Sequence, residues 1–350
     1  MAKLQVIFTV DTEVWPGSWD DLDARFPEAF QRYVYGDTPQ GQYALPMTLR
    51  ILNDHGLRGV FFVEPLFSAR FGLAPLQEIV GLIRDGGQDV QMHLHAEWAD
   101  EAREPVLPAP ATSKRQHISY FSLEEQFALI RWARARLVAA GAPVPTVFRA
   151  GSLRFNLDTL RALLANGITR DSSYSHCRNG PQSGVLESYP RGTVPVGARE
   201  VGGVVEFPLS VFYDRPGNLR PLQLTACSLR ELTRVLDLSA ERQHPFVNIL
   251  THNFELLDRR NFSVDQMVVR RFVGLCNYLQ TNTDRFETVT FDALSYAGPD
   301  APLEPVRGPL LGLARRLAEQ LLRRAPAMTR RVPSTPAVGP VSPHVSLIGE

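Results

Sequence analysis

Ile51-Leu52-Asn53-Asp54-His55-Gly56-Leu57-Arg58-Gly59-Val60-Phe61-Phe62-Val63 decides the fold class. A helix running from about Tyr43 stops at Gly56, where a left-handed residue is expected to close it. Leu57 to Val63 then reads as a strand. Outward from this unit the rhythm repeats. Leu4 to Val10 is a short apolar run of β-type residues and reads as a buried strand. A helix near Leu76–Asp85 ends at Gly86-Gly87, and Asp89–His95 is the third strand. Ser122 and Glu125 form a capping-box pair ahead of an amphipathic run that ends at Gly141, and Thr146–Arg149 is the fourth strand. Leu157–Asn166 is helical and ends at Gly167, before a strand near Ile168–Asp171. Val204–Pro208, Val247–Thr251 and Thr288–Phe291 supply later strands, with helices near Leu229–Leu238 and Val264–Leu279 between them. Strand, helix, Gly, strand is the signature of parallel βα units, and roughly seven or eight of them predict a closed or distorted (β/α)7–8 barrel. A doubly wound open sheet is disfavoured because no GxGxxG follows the first strand. Trp15 to Gln42 reads as one long loop, rich in aromatics, acids, Gly and Pro, of the kind that usually carries function.

Composition narrows the function. The chain has 350 residues, 44% hydrophobic and 21% charged, with 37 Lys+Arg against 37 Asp+Glu. A general nucleic-acid binder carries a basic excess, so no nucleic-acid partner is expected. The three cysteines, Cys177, Cys227 and Cys276, are odd in number and far apart, which excludes a disulfide framework and a CxxC knuckle. The N-terminus lacks the features of a signal peptide, and no apolar run reaches the roughly 18 residues of a membrane span. The expected location is the cytoplasm.

The barrel is expected to occupy residues 1–298. A basic amphipathic helical extension follows at 299–332, and 333–350 is expected to be a disordered tail rich in Pro, Ser, Val and Gly. Pro305 to Arg331 carries seven arginines, with Leu310, Leu313, Leu317 and Leu321 at helical spacing. Such a helix either packs on its own domain or makes peripheral contact with an anionic membrane through 305–331.

Catalytic groups in parallel βα folds collect at the C-terminal ends of strands. Those ends read Asp11-Thr-Glu13, His93-Leu-His95-Ala-Glu97-Trp98, Arg149-Ala-Gly-Ser152, Asp171-Ser-Ser and His252-Asn. Strand alternation puts His93 and His95 on one face, within reach of one cation, and Asp11 and Glu13 likewise. Two imidazoles plus one carboxylate leave a position open for water, the arrangement of catalytic zinc. Such an ion lowers the pKa of its water and polarises a carbonyl. A second carboxylate can take the proton, and His252 fits the group that protonates the leaving atom. Arg149 at a barrel mouth calls for a carboxylate partner, and Asp11 is the candidate. Asp171 is a candidate to orient His252 or Arg149. Trp15, Trp19 and Trp98 flank the two motifs and either stack on a sugar ring or pack under loops.

In this order the motifs resemble the polysaccharide deacetylases, the NodB-homology carbohydrate esterases. The resemblance spans roughly residues 3 to 295 in motif order and extends to the Ile51–Val63 unit. It implies a distorted (β/α) barrel and metal-assisted removal of acetyl groups from N-acetylated sugars. The family's Asp-Asp pair is matched by Asp11-Thr12, so Asp11 inherits the role of base and Glu13 substitutes for the missing ligand. Gly87-Gln-Asp89-Val-Gln-Met-His93 aligns with the second motif, making His93 a ligand. The residue four along is Glu97, so the third ligand is His95 or Glu97; His95 is preferred, leaving Glu97 with Trp15 and Trp98 on the substrate side. Arg149 survives from the third motif as the holder of the base, Asp171 falls near the fourth, and Leu250-Thr-His252 matches the fifth, giving the acid. The implied cofactor is a divalent metal, zinc by preference, and the implied substrate an N-acetylated sugar or a related small amide.

Two rival readings stand beside this one. An HxH pair also opens the amidohydrolase barrels, but there it ends the first strand. The altered first motif also fits a degenerate barrel that binds carbohydrate without turnover.

Overall fold

The computed structural model describes residues 2–108, 114–294 and 303–324. The expected tail, 333–350, and parts of the extension lie outside them. Nine strands form the main sheet: β1 (Leu4–Thr12), β2 (Val60–Val63), β3 (Asp89–Leu94), β4 (Val147–Ala150), β5 (Arg170–Asp171), β6 (Arg199–Val201), β7 (Val204–Glu206), β8 (Phe246–His252) and β9 (Phe286–Thr288). Their spatial order is β8-β1-β2-β3-β4-β5-β7-β6, with β9 also beside β1. All pairs are parallel except β6 with β7. The sheet curls toward closure without a ladder between β7 and β8. There Ser210 bridges the gap, donating its N–H to the Asn248 carbonyl and accepting from the Asn248 N–H at its hydroxyl. The result is a distorted (β/α) barrel.

Eight helices of eight or more residues are described: α1 (Leu22–Phe30), α2 (Leu45–Asp54), α3 (Ala74–Asp85), α4 (Leu123–Ala139), α5 (Leu157–Ala165), α6 (Leu229–Glu241), α7 (Gln266–Thr281) and α8 (Leu310–Arg324). Their starts are chemically marked. Ser122 and Glu125 close a capping box on α4, Asn156 and Thr159 on α5, and Ser228 and Glu231 on α6. Gly56, at φ 65°, turns the chain out of α2 into β2.

Both faces of the central strands are buried, which explains their continuous apolar runs. Val6, Phe8 and Val10 of β1 pack in the larger core cluster with helical residues. Ile7 faces inward with Phe62, Val147, Phe207, Phe246 and Phe291 and fills the barrel floor. Two residues further along the same face stands Thr9, and two beyond it Asp11. The interior therefore grades from apolar floor to charged mouth along one strand.

Several boundaries differ from expectation. The segment 15–42 is not one loop. It contains α1, a π-helical turn at Gln31–Tyr35 and a two-residue hairpin, because Phe26, Phe30, Tyr33 and Val34 are all buried. The last strand is Phe286–Thr288, and Phe291 instead opens a 3-10 turn. β6 and the hairpin Val211–Arg215/Asn218–Pro221 were not expected.

Candidate active site

Register brings the charged strand ends together. Asp11 sits opposite His252 across β1 and β8, and opposite Phe62 across β2. His93 sits opposite Arg149 across β3 and β4. Glu13 lies just past the end of β1. Asn253 fixes it by accepting the Glu13 N–H at 3.1 Å and donating to its carbonyl at 3.2 Å. Thr12, in the position of the resemblance's second acid, bonds its own Val10 carbonyl at 3.4 Å.

The centre of the site is Glu13 Oε1, 3.0 Å from His93 Nε2 and 3.0 Å from His95 Nε2. The other ring nitrogens are occupied. His93 Nδ1 is 2.9 Å from the Arg149 carbonyl, which only accepts, so that nitrogen carries the proton. His95 Nδ1 donates to Glu97 Oε1 at 3.1 Å. Each imidazole thereby presents Nε2 to the same point, the tautomer a cation requires. Glu13, His93 and His95 can together hold a metal ion. Gly151 permits this packing: a Cβ there would stand 2.8 Å from the His95 ring.

Charge is concentrated here. Burial alone would raise the Glu13 carboxyl, but His95 and His93 outweigh it and hold the group well below the usual range. Burial likewise opposes a charge on His95, yet Glu13 and Glu97 lift it well above the ordinary histidine value. Without a cation, this cluster is a carboxylate bracketed by imidazoles competing for protons. Behind it, burial pushes Glu64 up to about 8 although it accepts the His95 and Leu66 backbone N–H groups.

Arg149 is wholly buried. It donates to Asp11 Oδ1 at 2.6 Å, Thr9 Oγ1 at 2.9 Å, the Ser172 carbonyl at 3.0 Å and the Ser172 hydroxyl at 3.1 Å. Its guanidinium lies 4.1 Å over the Phe62 ring. Asn248 braces Ser172 from below at 2.9 Å. Across the mouth, His252 Nδ1 bonds Glu255 Oε1 at 2.8 Å, and Glu255 also accepts from Thr251 and Gln223. Burial disfavours the imidazolium, but Glu255 and then Glu13 lift His252 to about 9. Asp11, Glu13 and His252 each offer one atom within 4.8 Å of the others. These groups open onto a cavity of about 770 Å³, whose wall also includes Trp15, Ser152, Asn179 and Gln223.

Three expected site residues lie elsewhere. Asp171 makes no bond to Arg149 or His252 among the described residues; its Oδ1 accepts from Ser173 at 2.6 Å. Alternation turns Ser172 toward Arg149 and Asp171 to the opposite face. There it meets Glu206, its register partner. Burial, then their shared confinement, raises Glu206 well above the usual range, and burial raises Asp171 as well. Both carboxyls are thereby held toward the protonated form. Trp98 is 2% exposed and packs among Trp19, Phe67 and Phe71, so it belongs to the core rather than the cavity wall. Glu97 is buried beneath His95 and does not line the cavity. Trp15 does line it, with Nε1 on Glu13 Oε2 at 2.5 Å and its ring edge-on to His95 at 4.8 Å. Glu64, Asn253 and Glu255 were not anticipated. Only the sequence proximity of the last two to His252 signalled them.

No family model and no curated protein sequence matches the chain. Solved structures do. A candidate polysaccharide deacetylase from Mycobacterium smegmatis superposes with a TM-score of 0.51 at 15% identity, covering 96% of this chain and 95% of its own. The 4-alpha-glucanotransferase of Thermococcus litoralis gives 0.52 at 12%, over 92% of this chain and 46% of its own. A family 4 carbohydrate esterase from Streptomyces lividans, solved with acetate, gives 0.41 at 11%, over 85% of this chain and 100% of its own. By fold the chain is therefore a NodB-type distorted (β/α) barrel, the architecture found among polysaccharide deacetylases.

Proposed function

We propose that the chain is a metal-dependent hydrolase that removes an acetyl group from an N-acetylated sugar or a related amide. One observation carries the reading. Two buried imidazoles, each with Nδ1 already committed to an acceptor, aim Nε2 at the same carboxylate oxygen. A barrel that only binds carbohydrate has no use for this costly convergence.

Glu13, His93 and His95 are the assigned ligands, with Glu97 orienting His95; the N/N/O set suits zinc with a position left for water. The bound ion supplies an acidified water and polarisation of the substrate carbonyl. Asp11, fixed by Arg149, takes the proton of the attacking water. His252, whose imidazolium form Glu255 stabilises, delivers its proton to the departing amine. Trp15 forms an aromatic wall against which a sugar ring can stack.

The test is metal content and acetate release from N-acetylated chitooligosaccharides, for the purified protein and for His93→Ala. An equimolar divalent metal, with both metal and acetate release lost in the variant, is expected. Acetate release by metal-stripped protein refutes the assignment.

A further inference from the structure

Helix α8 is inside out. A surface helix normally buries its apolar stripe and exposes its charges. Here Arg316, 2% exposed, points inward, donating to Asp214 Oδ2 at 2.6 Å and Glu231 Oε1 at 2.7 Å. Glu319 accepts from the buried Arg271 at 2.7 Å. Gly312 lets the backbone approach closely, since a Cβ there would stand 2.7 Å from Glu231. These pairs fix the helix rotation, because turning it over would strand buried charges. The outer face is left with Leu311, Leu317 and Leu321, exposed by 64%, 49% and 68%. Ala314 and Ala318 lie between them, so at about 100° per residue the five span one continuous arc. Leu311 and Leu321 are the most exposed large hydrophobic residues described.

We infer that this face is a docking surface for an anionic lipid bilayer, with α8 lying in the plane of the interface. Charge selects the occupant. From residue 320 to 349 the sequence holds Arg323, Arg324, Arg330 and Arg331 and no Asp or Glu. A second copy of the chain would add the same stretch of four arginines without an acid, so self-association gains no opposite charge from residues 320 to 349. Anionic headgroups offer countercharge to that basic stretch while the acyl boundary receives the leucines. No described helix is long and apolar enough to cross a membrane, which fits peripheral contact.

The experiment is co-sedimentation of the full chain with phosphatidylcholine vesicles, with and without phosphatidylglycerol, alongside analytical ultracentrifugation without lipid. Binding is expected only with phosphatidylglycerol, weakening as salt rises. Leu311→Gln/Leu317→Gln/Leu321→Gln should weaken it at least about tenfold. Arg330→Gln/Arg331→Gln should weaken it about fivefold per arginine. Circular dichroism of the variants checks that the substitutions leave the fold intact. Failure to bind phosphatidylglycerol vesicles, or binding indifferent to the leucines, overturns the inference. So does a lipid-free dimer that the leucine variant dissolves, which would assign the face to a second copy.

Discussion

Replacing Arg149 by Met tests whether the polar layer under the site exists to carry the Asp11 charge. Methionine matches the stem of arginine and can fill the space over Phe62, so the cavity contribution is small, below about 1.5 kcal/mol. The charge contribution is not. Asp11 is buried and loses the 2.6 Å partner it has in Arg149, and breaking a buried pair from one side costs about 3–5 kcal/mol. The Ser172 carbonyl also loses the donor it had at 3.0 Å, adding on the order of 1 kcal/mol. Arg149→Met should therefore cost about 4–6 kcal/mol. Asp11→Asn keeps an oxygen facing the guanidinium, which retains Thr9 and Ser172, and should cost only about 1–2 kcal/mol. The informative protein is the double variant. Without a stranded carboxylate it should be about 2 kcal/mol more stable than Arg149→Met alone, the reverse of additive behaviour. Urea unfolding followed by tryptophan fluorescence and far-UV circular dichroism measures all three. If the double variant is no more stable than Arg149→Met, Arg149 does not neutralise Asp11 and the reasoning is wrong.

The Asp171–Glu206 pair gives a pH signature of stability. Glu206 is raised in the fold, so the native state keeps a proton that the unfolded chain releases above about pH 4.5, and stability falls as pH rises from there by up to about 1.4 kcal/mol per unit. Glu206→Gln should flatten that slope and stabilise the protein at pH 8; an unchanged slope in urea titrations refutes the retained proton on Glu206. His252 must be protonated to act as the acid, so acetate release should decline at alkaline pH as the proton that Glu255 holds on it is lost. Glu255→Gln removes the anion holding that proton and should move the alkaline limb of kcat/KM to lower pH, while an unmoved limb would remove His252 from the role. Gly151→Ala puts a methyl 2.8 Å from the His95 ring and should weaken metal binding about 10–100-fold in a competition titration with a chelator. Wild-type affinity in that variant would mean His95 is not a ligand.

Much of this was legible in the sequence because strands have period two. His93 and His95, then Asp11 and Glu13, stand two apart at the ends of apolar runs, and Arg149 ends the strand beside the histidines. The same periodicity explains the failure at Asp171. In a strand two residues long nothing marks which side faces in, and a slip of one residue exchanges Asp171 for Ser172. Glu97 and Trp98 turn away from the cavity because the chain leaves β3 as a 3-10 turn, Ala96–Glu101, which folds Glu97 beneath His95 and Trp98 into the core beside Trp19, Phe67 and Phe71. The helix in the long loop was hidden by Pro27 within it and by Asp21 entering it in a left-handed conformation. In α8 the spacing of leucines was visible. Which face they occupy depends on Asp214, Glu231 and Arg271, all distant in sequence.

The incomplete seam between β7 and β8 has a consequence for how such a protein can change. Every residue assigned to grip a metal or fix the base comes from β1, β3 and β4 or their immediate ends, where continuous ladders lock each strand to the next. Arg178, Asn179, Gln223 and Thr225, which also wall the cavity, come instead from the segments 172–198 and 207–225 on either side of β6 and β7, where turns, a hairpin and isolated bonds to β8 at Ser210, Leu222 and Leu224 replace a continuous ladder. The molecule is thus divided into a vice and an adjustable jaw. Insertions or substitutions in the jaw can reshape what is admitted without moving an atom of the vice, so selectivity can drift while the chemistry stays in place.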